Sequence, residues 1–513
     1  MRNLVRNPWR VAAALMIAGL FAANVYRAAT QSISHDEGVI FEWMLSGPWS
    51  QVLEGVHGNH HVVSDLASKL SIGVLGLSEL SLRIPALAGG LLYFCSVFGI
   101  SALLAGEGFV FLLSVALLCL NPFVLDYLVC ARGYGLALGF LFYALYQLAR
   151  CLAAPQKTRE LNKAGVALGL SIGSNPVMVF PGAALAVAFL ALRIAGDSRR
   201  PAAPVAESRK ERRKAARRAP SAGTAGLGWK QAFTHLALPA AALGGLISML
   251  PKRLIELEPG YFGPPSLAAI LAGLVRPSLF HSATGFAGLL TGLRADTVVW
   301  VVTNLVAPAG LVVLMAVAIR ILARTRDIDA LPPIDRFLLL LAGALPLALA
   351  LIVISRYAFE QPYPEMRTAV YWLPLLSLGA LAILRRSARA FAVPLAVVLV
   401  ACVLQYVSQF NTRYFAEWSY CAAGKDMMQI VRAQHAREPA TGVRIGATWQ
   451  LEPVINFYRV AWRLDWMEPV DRESPDGAFD YYLLAFGDRS LVATRRLKVL
   501  ADDRLSGTVL AAP

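Results

Sequence analysis

Long apolar runs separated by short, charge-bearing segments make up most of this chain. Each run approaches the ~20 residues that a helix needs to cross a bilayer, and apart from Arg27, Arg150 and Arg193 near the ends of their runs, charged residues fall between the runs. The pattern therefore predicts membrane-spanning helices rather than the helices of a soluble core. The predicted spans are 11–28, 84–106, 108–125, 133–150, 164–177, 178–195, 231–250, 297–319, 337–355, 368–384 and 390–410.

The uncharged run at 164–192 is long for one helix and short for two. Basic residues lie on both sides of it, including Lys163 before and Arg199 after, and Lys and Arg mark the cytoplasmic face of a membrane protein. Both ends are therefore expected on the same side, with a break at 173–176, where Pro176 interrupts the helix. With this run counted as two spans, the chain is predicted to have eleven helices.

The same charge rule orients the whole chain. Arg2, Arg6 and Arg10 keep the N-terminus inside, and the arginine-rich loops at 320–336 and 385–389 are also predicted to be cytoplasmic. No convincing cleavage site follows the first run, which is therefore interpreted as a retained signal anchor. Three segments are then expected on the external face: 29–82, 251–296 and 411–513.

The last hundred residues differ from the rest, because helix-like and strand-like runs alternate there. Helices are predicted at 424–436, 453–461 and 488–497, and extended segments or strands at 442–450, 479–487, 497–503 and 507–512. This length is sufficient for a small core. The fold class is therefore a polytopic α-helical membrane protein, N-terminus in and C-terminus out, with a membrane domain at 1–410 and a small external α/β domain at 411–513.

Composition agrees with a membrane protein. Only 16% of the residues are charged, against roughly a quarter in soluble domains, and the mean hydropathy is +0.55. Much of the net charge of +15 lies in short loops, above all in the segment 197–230, which is predicted to be disordered. This segment either binds anionic lipid or a partner, or only sets the topology. Nucleic acid is not an expected partner.

The six cysteines form no CxxC pair, so neither a disulfide framework nor a zinc site is indicated.

The stretch SISHDEG at 32–38 follows the first span and places three ionisable residues, His35, Asp36 and Glu37, beside the membrane. Charges retained at such a position are often functional, although an acidic cap on the end of the span explains them too. On a helix, the side chains of Asp36 and Glu37 would diverge by about 100 degrees. One of the two is therefore expected to point into a site.

Further motifs along the chain resemble those of the type C glycosyltransferases, the superfamily of the protein O-mannosyltransferases and the lipid A aminoarabinose transferase. An acidic pair, a histidine patch and a basic start to the second helix follow the first span in order. The quoted motifs are Asp36-Glu37, Asn59-His60-His61, Arg83-Ile84-Pro85-Ala86, NPFVLDYLVCARGYGLAL, YPEMRTAVYWLPLLSL and TWQLEPVINFYR. Two features depart from the family: Val62 stands where a proline usually follows the histidine, and the segment 251–296 matches no member.

The resemblance implies transfer of a sugar from a polyprenyl-phosphate carrier to an acceptor hydroxyl on the external face. Such a transfer needs a general base for the acceptor proton and positive charge for the departing phosphate. Because the phosphate leaves as a stable anion, one carboxylate suffices for an inverting displacement, unlike the carboxylate pair of a glycosidase. Asp36 is assigned the base role. Glu37 either raises the pKa of Asp36 by like-charge repulsion or orients the acceptor.

A second group of residues is predicted to bind the donor. Arginine suits phosphate oxygens, although each arginine singly could also lie at the membrane interface with its head in water. Asp126 is either a site residue or a partner for Arg132. No metal site is predicted, and the need for a divalent metal stays open. The candidate donor-binding residues are His35, His60, His61, Asp126, Arg132, Tyr134, Arg356 and Arg367.

Two other functions compete with a transferase: a transporter or flippase of lipid-linked sugars, and an inactive scaffold of the same family. A transporter is expected to carry ionisable residues or broken helices near mid-bilayer, together with internal repeats, and neither is evident. The expected partners are a polyprenyl-phosphate-linked sugar, an acceptor protein, lipid or glycan, and membrane lipids. The expected location is a bacterial inner membrane, with the site and the α/β domain on the periplasmic side. Neither the sugar nor the acceptor is specified.

Overall fold

The computed structural model describes residues 7–54, 61–154, 158–199, 228–250, 263–281, 294–439 and 442–513. The helices of the first half are α1 Pro8–Thr30, α2 His35–Ile40, α3 Trp49–Glu54, α4 Val62–Leu75, α5 Glu79–Ala105, α6 Phe109–Cys119, α7 Pro122–Tyr127, α8 Tyr134–Ala153, α9 Thr158–Ser174 and α10 Val179–Arg199. Those that follow, up to residue 410, are α11 Trp229–Ala232, α12 Leu238–Ser248, α13 Leu267–Leu279, α14 Ala295–Val301, α15 Ala307–Arg324, α16 Pro333–Ala358, α17 Trp372–Arg386 and α18 Arg389–Gln409.

Every predicted span coincides with a helix or a run of helical segments. Among the described residues, eight helical stretches are long and apolar enough to cross a membrane. The other three predicted spans correspond to shorter or interrupted pieces: α6 with α7, α9, and α11 joined to α12 by a π-helical turn. The protein is therefore mostly helical, with many apolar helices, while the total of eleven spans and their orientation stay predictions.

The predicted break at 173–176 is confirmed. Helix α9 ends at Ser174, and a 3-10 turn, Pro176–Met178, leads into α10. The Asn175 side chain accepts a hydrogen bond from the backbone N–H of Val177 at 3.2 Å, which caps this turn. The basic residues on both sides of the run thus correctly predicted that it contains the end of one helix and the start of another.

Helix α2 starts almost directly after α1 because of a capping box. The Ser34 hydroxyl accepts the backbone N–H of Glu37 at 3.3 Å, and the Glu37 carboxylate accepts the N–H of Ser34 at 2.8 Å. This reciprocal pair satisfies two donors that a helix start leaves open. It also places Asp36 and Glu37 at consecutive positions of a short helix, facing different neighbours.

Residues 411–513, the C-terminal domain, contain a four-stranded sheet. Its elements are a 3-10 turn Ala416–Cys421, α19 Gly424–His435, β1 Ile445–Ala447, α20 Glu452–Ala461, β2 Tyr481–Leu484, α21 Ser490–Thr494, β3 Lys498–Asp503 and β4 Thr508–Ala512. The strand order is β1-β2-β4-β3, with β1 parallel to β2 and the other pairs antiparallel. Each helix and strand predicted for this part of the chain has a counterpart.

The C-terminal domain packs directly on α2. A Cβ atom on Gly38 would lie 2.6 Å from the carbonyl oxygen of Pro453 in α20, so only glycine permits this approach. The Tyr458 hydroxyl, also on α20, accepts the N–H of Ile33 at 3.2 Å and donates to Glu79 at 3.2 Å. The rings of Phe41 and Phe457 pack edge to face. These contacts fix the domain against the segment that carries Asp36.

Gly38→Ala should loosen the C-terminal domain. The added methyl group must displace the backbone of α20, and such overpacking costs about 1–3 kcal/mol. Thermal unfolding in detergent, followed together with limited proteolysis of the C-terminal domain, measures the effect. Gly19→Ala, a glycine of α1 with open space around it, is the control. Equal stability of the two variants would show that the close approach is not needed.

Candidate active site

Asp36 lies between two arginines that come from distant parts of the chain. Its Oδ2 atom is 3.0 Å from Nη2 of Arg132 and 3.2 Å from Nη2 of Arg367. Asp36 is only 7% exposed and Arg132 only 1%, whereas the Arg367 side chain is 27% exposed. The site therefore has one deeply buried cation and one that solvent or a ligand can reach.

The contacts of Asp36 Oδ2 are ion pairs rather than well-aligned hydrogen bonds, because within the described residues this oxygen accepts no hydrogen bond. Burial raises the pKa of Asp36, but the charges of Arg132 and Arg367 outweigh burial and hold it below its usual value. The expectation that Glu37 raises the pKa of Asp36 by repulsion is therefore wrong. Asp36 is a carboxylate at neutral pH.

Glu37 points away from Asp36, as the helical geometry predicts, and its oxygens are fully engaged. Arg83 donates to both of them, from Nε at 2.9 Å and from Nη2 at 2.7 Å. The backbone N–H groups of Ala131 and Ser34 donate to them at 2.8 Å each. Burial would raise the pKa of Glu37, but Arg83 and the backbone donors lower it. Glu37 thus binds helix α2 to α5 and to the turn that carries Arg132.

Unusual backbone conformations precede or follow both arginines of the site. Gly133, next to Arg132, has φ +73°, and a Cβ there would lie 2.4 Å from the carbonyl oxygen of Ser174. Met366, next to Arg367, has φ +42° although it is not glycine. Strained residues of this kind persist where the surrounding structure holds them and cluster at functional sites.

The C-terminal domain contributes two residues to the site that the sequence analysis missed. Glu417 pairs with Nη1 of Arg367 and accepts a hydrogen bond from the Tyr127 hydroxyl. The guanidinium of Arg367 lies over the ring of Trp418 at 5.6 Å, and Trp418 is among the groups that lower the pKa of Asp36. Both residues belong to the 3-10 turn at 416–421, which has no sequence signature that predicts this position.

Asp126 belongs to a neighbouring cluster and does not pair with Arg132. It forms an ion pair with Arg27, and its Oδ2 accepts from His281 Nε2 and from the N–H of Ala416, each at 2.8 Å. The interpretation of Asp126 as a helix-end partner of Arg132 is therefore wrong. Asp126 joins α1 and α7 to the start of the C-terminal domain.

The histidines and Tyr134 surround Asp36 at greater distance. His35 donates from Nδ1 to the carbonyl of Gln450 at 2.7 Å, and burial lowers the pKa of its imidazole. The rings of His61 and Tyr134 are 5.8 Å apart, and His61 is buried beside Gly133. His60 lies outside the described residues.

Arg356 differs from Arg367. It lies in the last turn of α16, half-buried, and it forms neither of the ion pairs to Asp36.

Within the described ranges, no group of three or more His, Cys, Asp and Glu side chains has the arrangement of a metal site. A cavity of about 310 Å³ lies between the end of α1 and the C-terminal domain, but Asp36 does not line it. The convergence of charges, rather than this cavity, marks the candidate site.

A second pair of carboxyl groups lies between the first loop and the C-terminal domain. The charge of Glu452 acts on Glu42, and the Glu452 carboxylate accepts hydrogen bonds from Asn456 at 2.7 Å and from Arg472 at 3.0 Å. Burial first, and then the charge of Glu452, raise the pKa of Glu42 to about 7. Glu42 therefore takes up a proton near neutral pH. Neither residue was singled out from the sequence.

No protein-family model and no curated protein matches the chain. Its structure is similar to that of ArnT from Cupriavidus metallidurans bound to undecaprenyl phosphate, with 13% identity, a TM-score of 0.46 and 97% of each chain covered. It is also similar to the oligosaccharyltransferase AglB from Archaeoglobus fulgidus in complex with an inhibitory peptide and dolichol-phosphate, with 11% identity and a TM-score of 0.42. That match covers 87% of this chain and 63% of AglB.

At these identities and TM-scores, the similarity identifies neither a substrate nor the role of a residue.

Glu37→Gln should destabilise the protein severely. It leaves Arg83 buried without its charged partner, and breaking such a buried pair costs about 3–5 kcal/mol. Glu468→Gln is the matched control, since Glu468 pairs with Arg444 at an exposed position, where ion pairs contribute about 0–1 kcal/mol. Thermal unfolding of the two purified variants measures the difference. Wild-type stability of Glu37→Gln would contradict the structural role.

The contribution of Glu42 to the stability of the protein should fall as pH rises from about 4.5 to about 7, the interval between the ordinary and the raised pKa of Glu42. Across this interval the folded state binds more protons than the unfolded state, so the free energy of unfolding decreases with pH. Glu42→Gln removes the titrating group and should flatten this part of the profile. Thermal unfolding at a series of pH values tests it, with the exposed Glu473→Gln as control. An unchanged slope in Glu42→Gln would contradict the assignment.

Proposed function

We propose that the protein is a membrane glycosyltransferase that transfers a sugar from a polyprenyl-phosphate carrier to an acceptor hydroxyl on the external face of the membrane. Asp36 is the general base, and Arg132 and Arg367 bind the phosphate. The observation that carries the proposal is the single ionised carboxylate of Asp36 held between two arginines at the end of apolar helices. The proposed base and the two arginines proposed to bind the phosphate lie within a few ångströms of each other, which supports the proposal.

The position of the cluster suits a lipid-linked substrate. Among the described residues, each of the eight helical stretches that are long and apolar enough to span a membrane has its charged residues near the ends and an apolar middle. The Asp36 cluster lies just beyond α1, where a carrier with its chain in the bilayer presents its phosphate. Arginine forks bind phosphate oxygens through paired, charge-assisted hydrogen bonds.

The reaction is a single displacement at the anomeric carbon. The acceptor oxygen forms a bond to this carbon while its proton passes to the Asp36 carboxylate. The bond from the anomeric carbon to the phosphate oxygen breaks, and its electron pair stays on the phosphate, which gains a second negative charge. Arg132 and Arg367 stabilise this charge, and the configuration at the anomeric carbon inverts. Glu37 has its oxygens occupied and positions α2, which carries the base.

The other functions fit the described residues less well. A transporter of lipid-linked sugars is expected to have ionisable groups or interrupted helices near mid-bilayer, whereas the buried ion pairs of Asp36, Glu37 and Asp126 all lie beside the C-terminal domain. An inactive scaffold would have no need for a partly exposed arginine facing a buried carboxylate. The hydroxyl-bearing acceptor, whether protein, lipid or glycan, and the identity of the sugar are left open by this proposal.

Asp36→Asn should abolish transfer and retain the carrier. Loss of a positioned general base costs typically 10²–10⁴-fold in rate, whereas both arginines remain and their charges are no longer balanced by Asp36. Turnover is measured as release of polyprenyl phosphate, using whichever hexosyl or pentosyl carrier the wild type consumes. Binding is measured by native mass spectrometry with undecaprenyl phosphate as the probe.

Asp502→Asn is the control for this experiment, because Asp502 pairs with Arg489 on the sheet of the C-terminal domain. It should turn over at the wild-type rate. Wild-type turnover by Asp36→Asn would exclude Asp36 as the base, and lost binding would assign it to carrier retention instead.

A further inference from the structure

Arg367 is shared between two carboxylates that come from different parts of the protein. Its Nη2 lies 3.2 Å from Asp36 in α2, and its Nη1 pairs with Glu417 in the C-terminal domain. Each terminal nitrogen of the guanidinium therefore has one carboxylate partner. Because a guanidinium is planar and rigid, holding one nitrogen restricts where the other can point.

The proposed reaction requires this arrangement to change. Asp36 has its pKa lowered by Arg132 and Arg367, and a base is most effective when its pKa is near the working pH. The same Arg367 is needed by the phosphate. In the structure described here, the proposed base, Asp36, and one of the two arginines proposed to bind phosphate, Arg367, are paired with each other.

We infer that Glu417 is a positioning residue on which Arg367 turns, so that Nη2 leaves Asp36 for the carrier phosphate while Nη1 stays on Glu417. This inference rests on the proposed function. The exchange replaces one anionic partner of Arg367 by another, and it frees Asp36 to accept the acceptor proton at the moment when the phosphate is bound. The C-terminal domain thereby takes part in catalysis through Arg367.

The contacts around Glu417 fit a fixed pivot. Tyr127, fully buried in α7, donates its hydroxyl to the second oxygen of Glu417. Glu417 is thus bonded on one side to the membrane helices and on the other to Arg367. Trp418, the next residue, lies under the Arg367 guanidinium, and the indole face attracts this cation.

The partner that Arg367 gives up is the more weakly aligned one. Asp36 Oδ2 accepts no hydrogen bond within the described residues, so its contact with Nη2 is electrostatic and not directional. Arg367 is also the more exposed of the two arginines, at 27% against 1% for Arg132. A phosphate arriving from the bilayer surface reaches Arg367 before it reaches Arg132.

Glu417→Gln tests the inference, because glutamine keeps the shape and loses the charge that holds Nη1. Affinity for undecaprenyl phosphate, titrated into the purified protein in nanodiscs, should fall about tenfold, since the free fork of Arg367 then closes on Asp36 with both nitrogens. The acid limb of the kcat/KM profile should also move to lower pH, because Asp36 loses a neighbouring negative charge. Glu468→Gln, an ion-paired glutamate at an exposed position of the same domain, should change neither.

A double-mutant cycle separates positioning from plain structural support. In an Arg367→Ala background, Glu417→Gln should have no further effect on binding, because Glu417 acts through Arg367. If Glu417→Gln does not fold, Tyr127→Phe replaces it in the same cycle, since it removes only the hydroxyl that fixes Glu417. Additive losses in the cycle would overturn the inference.

The outcomes distinguish the inference from the function on which it rests. If Arg367→Ala binds undecaprenyl phosphate as the wild type does, the phosphate assignment of the proposed function fails. If Arg367→Ala weakens binding but Glu417→Gln leaves both affinity and pH profile unchanged, only the pivot is wrong. A tenfold loss in Glu417→Gln that disappears without Arg367 supports both.

Discussion

A carboxylate buried beside a bilayer is costly unless a cation accompanies it, and this constraint organises the whole candidate site. Glu37, Asp36 and Asp126 lie within one region, and each has its own arginine: Arg83, Arg132 with Arg367, and Arg27. Two of these ion pairs, Glu37 with Arg83 and Asp126 with Arg27, are fully buried, and they connect α2 to α5 and α7 to α1. The Asp36 group differs, because one of its arginines is partly exposed and is also held by Glu417. The pairs of Glu37 and Asp126 thus connect helices, whereas the Asp36 group is the one proposed to take part in the reaction.

Much of the fold follows from the sequence because hydropathy and charge act locally. The spans are visible as apolar runs, and the break at Pro176 follows from basic residues on both sides of one run. The capping box of α2 could also have been predicted, because Ser34 and Glu37 have the S-x-x-E spacing. That prediction would have given Glu37 a structural role. The predicted rise in the pKa of Asp36 is wrong, because Arg132 and Arg367 lower this pKa.

Other parts of the site depend on contacts between distant segments, which no local pattern encodes. Position beside the membrane and the family resemblance nominated Asp36, Arg132 and Arg367, and the fold brings these three together. Arg356, predicted on the same grounds, lies in the last turn of α16 and forms neither of the two ion pairs to Asp36. No sequence pattern predicted a role for Glu417. It is an acidic residue in a short 3-10 turn, and it meets Arg367 only because the C-terminal domain packs on α2.

The most direct test of the account is an electron cryo-microscopy structure of the wild-type protein in nanodiscs with undecaprenyl phosphate. We expect density for the phosphate within hydrogen-bond distance of Arg132 and Arg367, with Nη2 of Arg367 turned from Asp36 towards the phosphate and Nη1 still on Glu417. A phosphate bound elsewhere, with Asp36 and both arginines paired as they are without it, would contradict the assignment of this cluster as the site of sugar transfer.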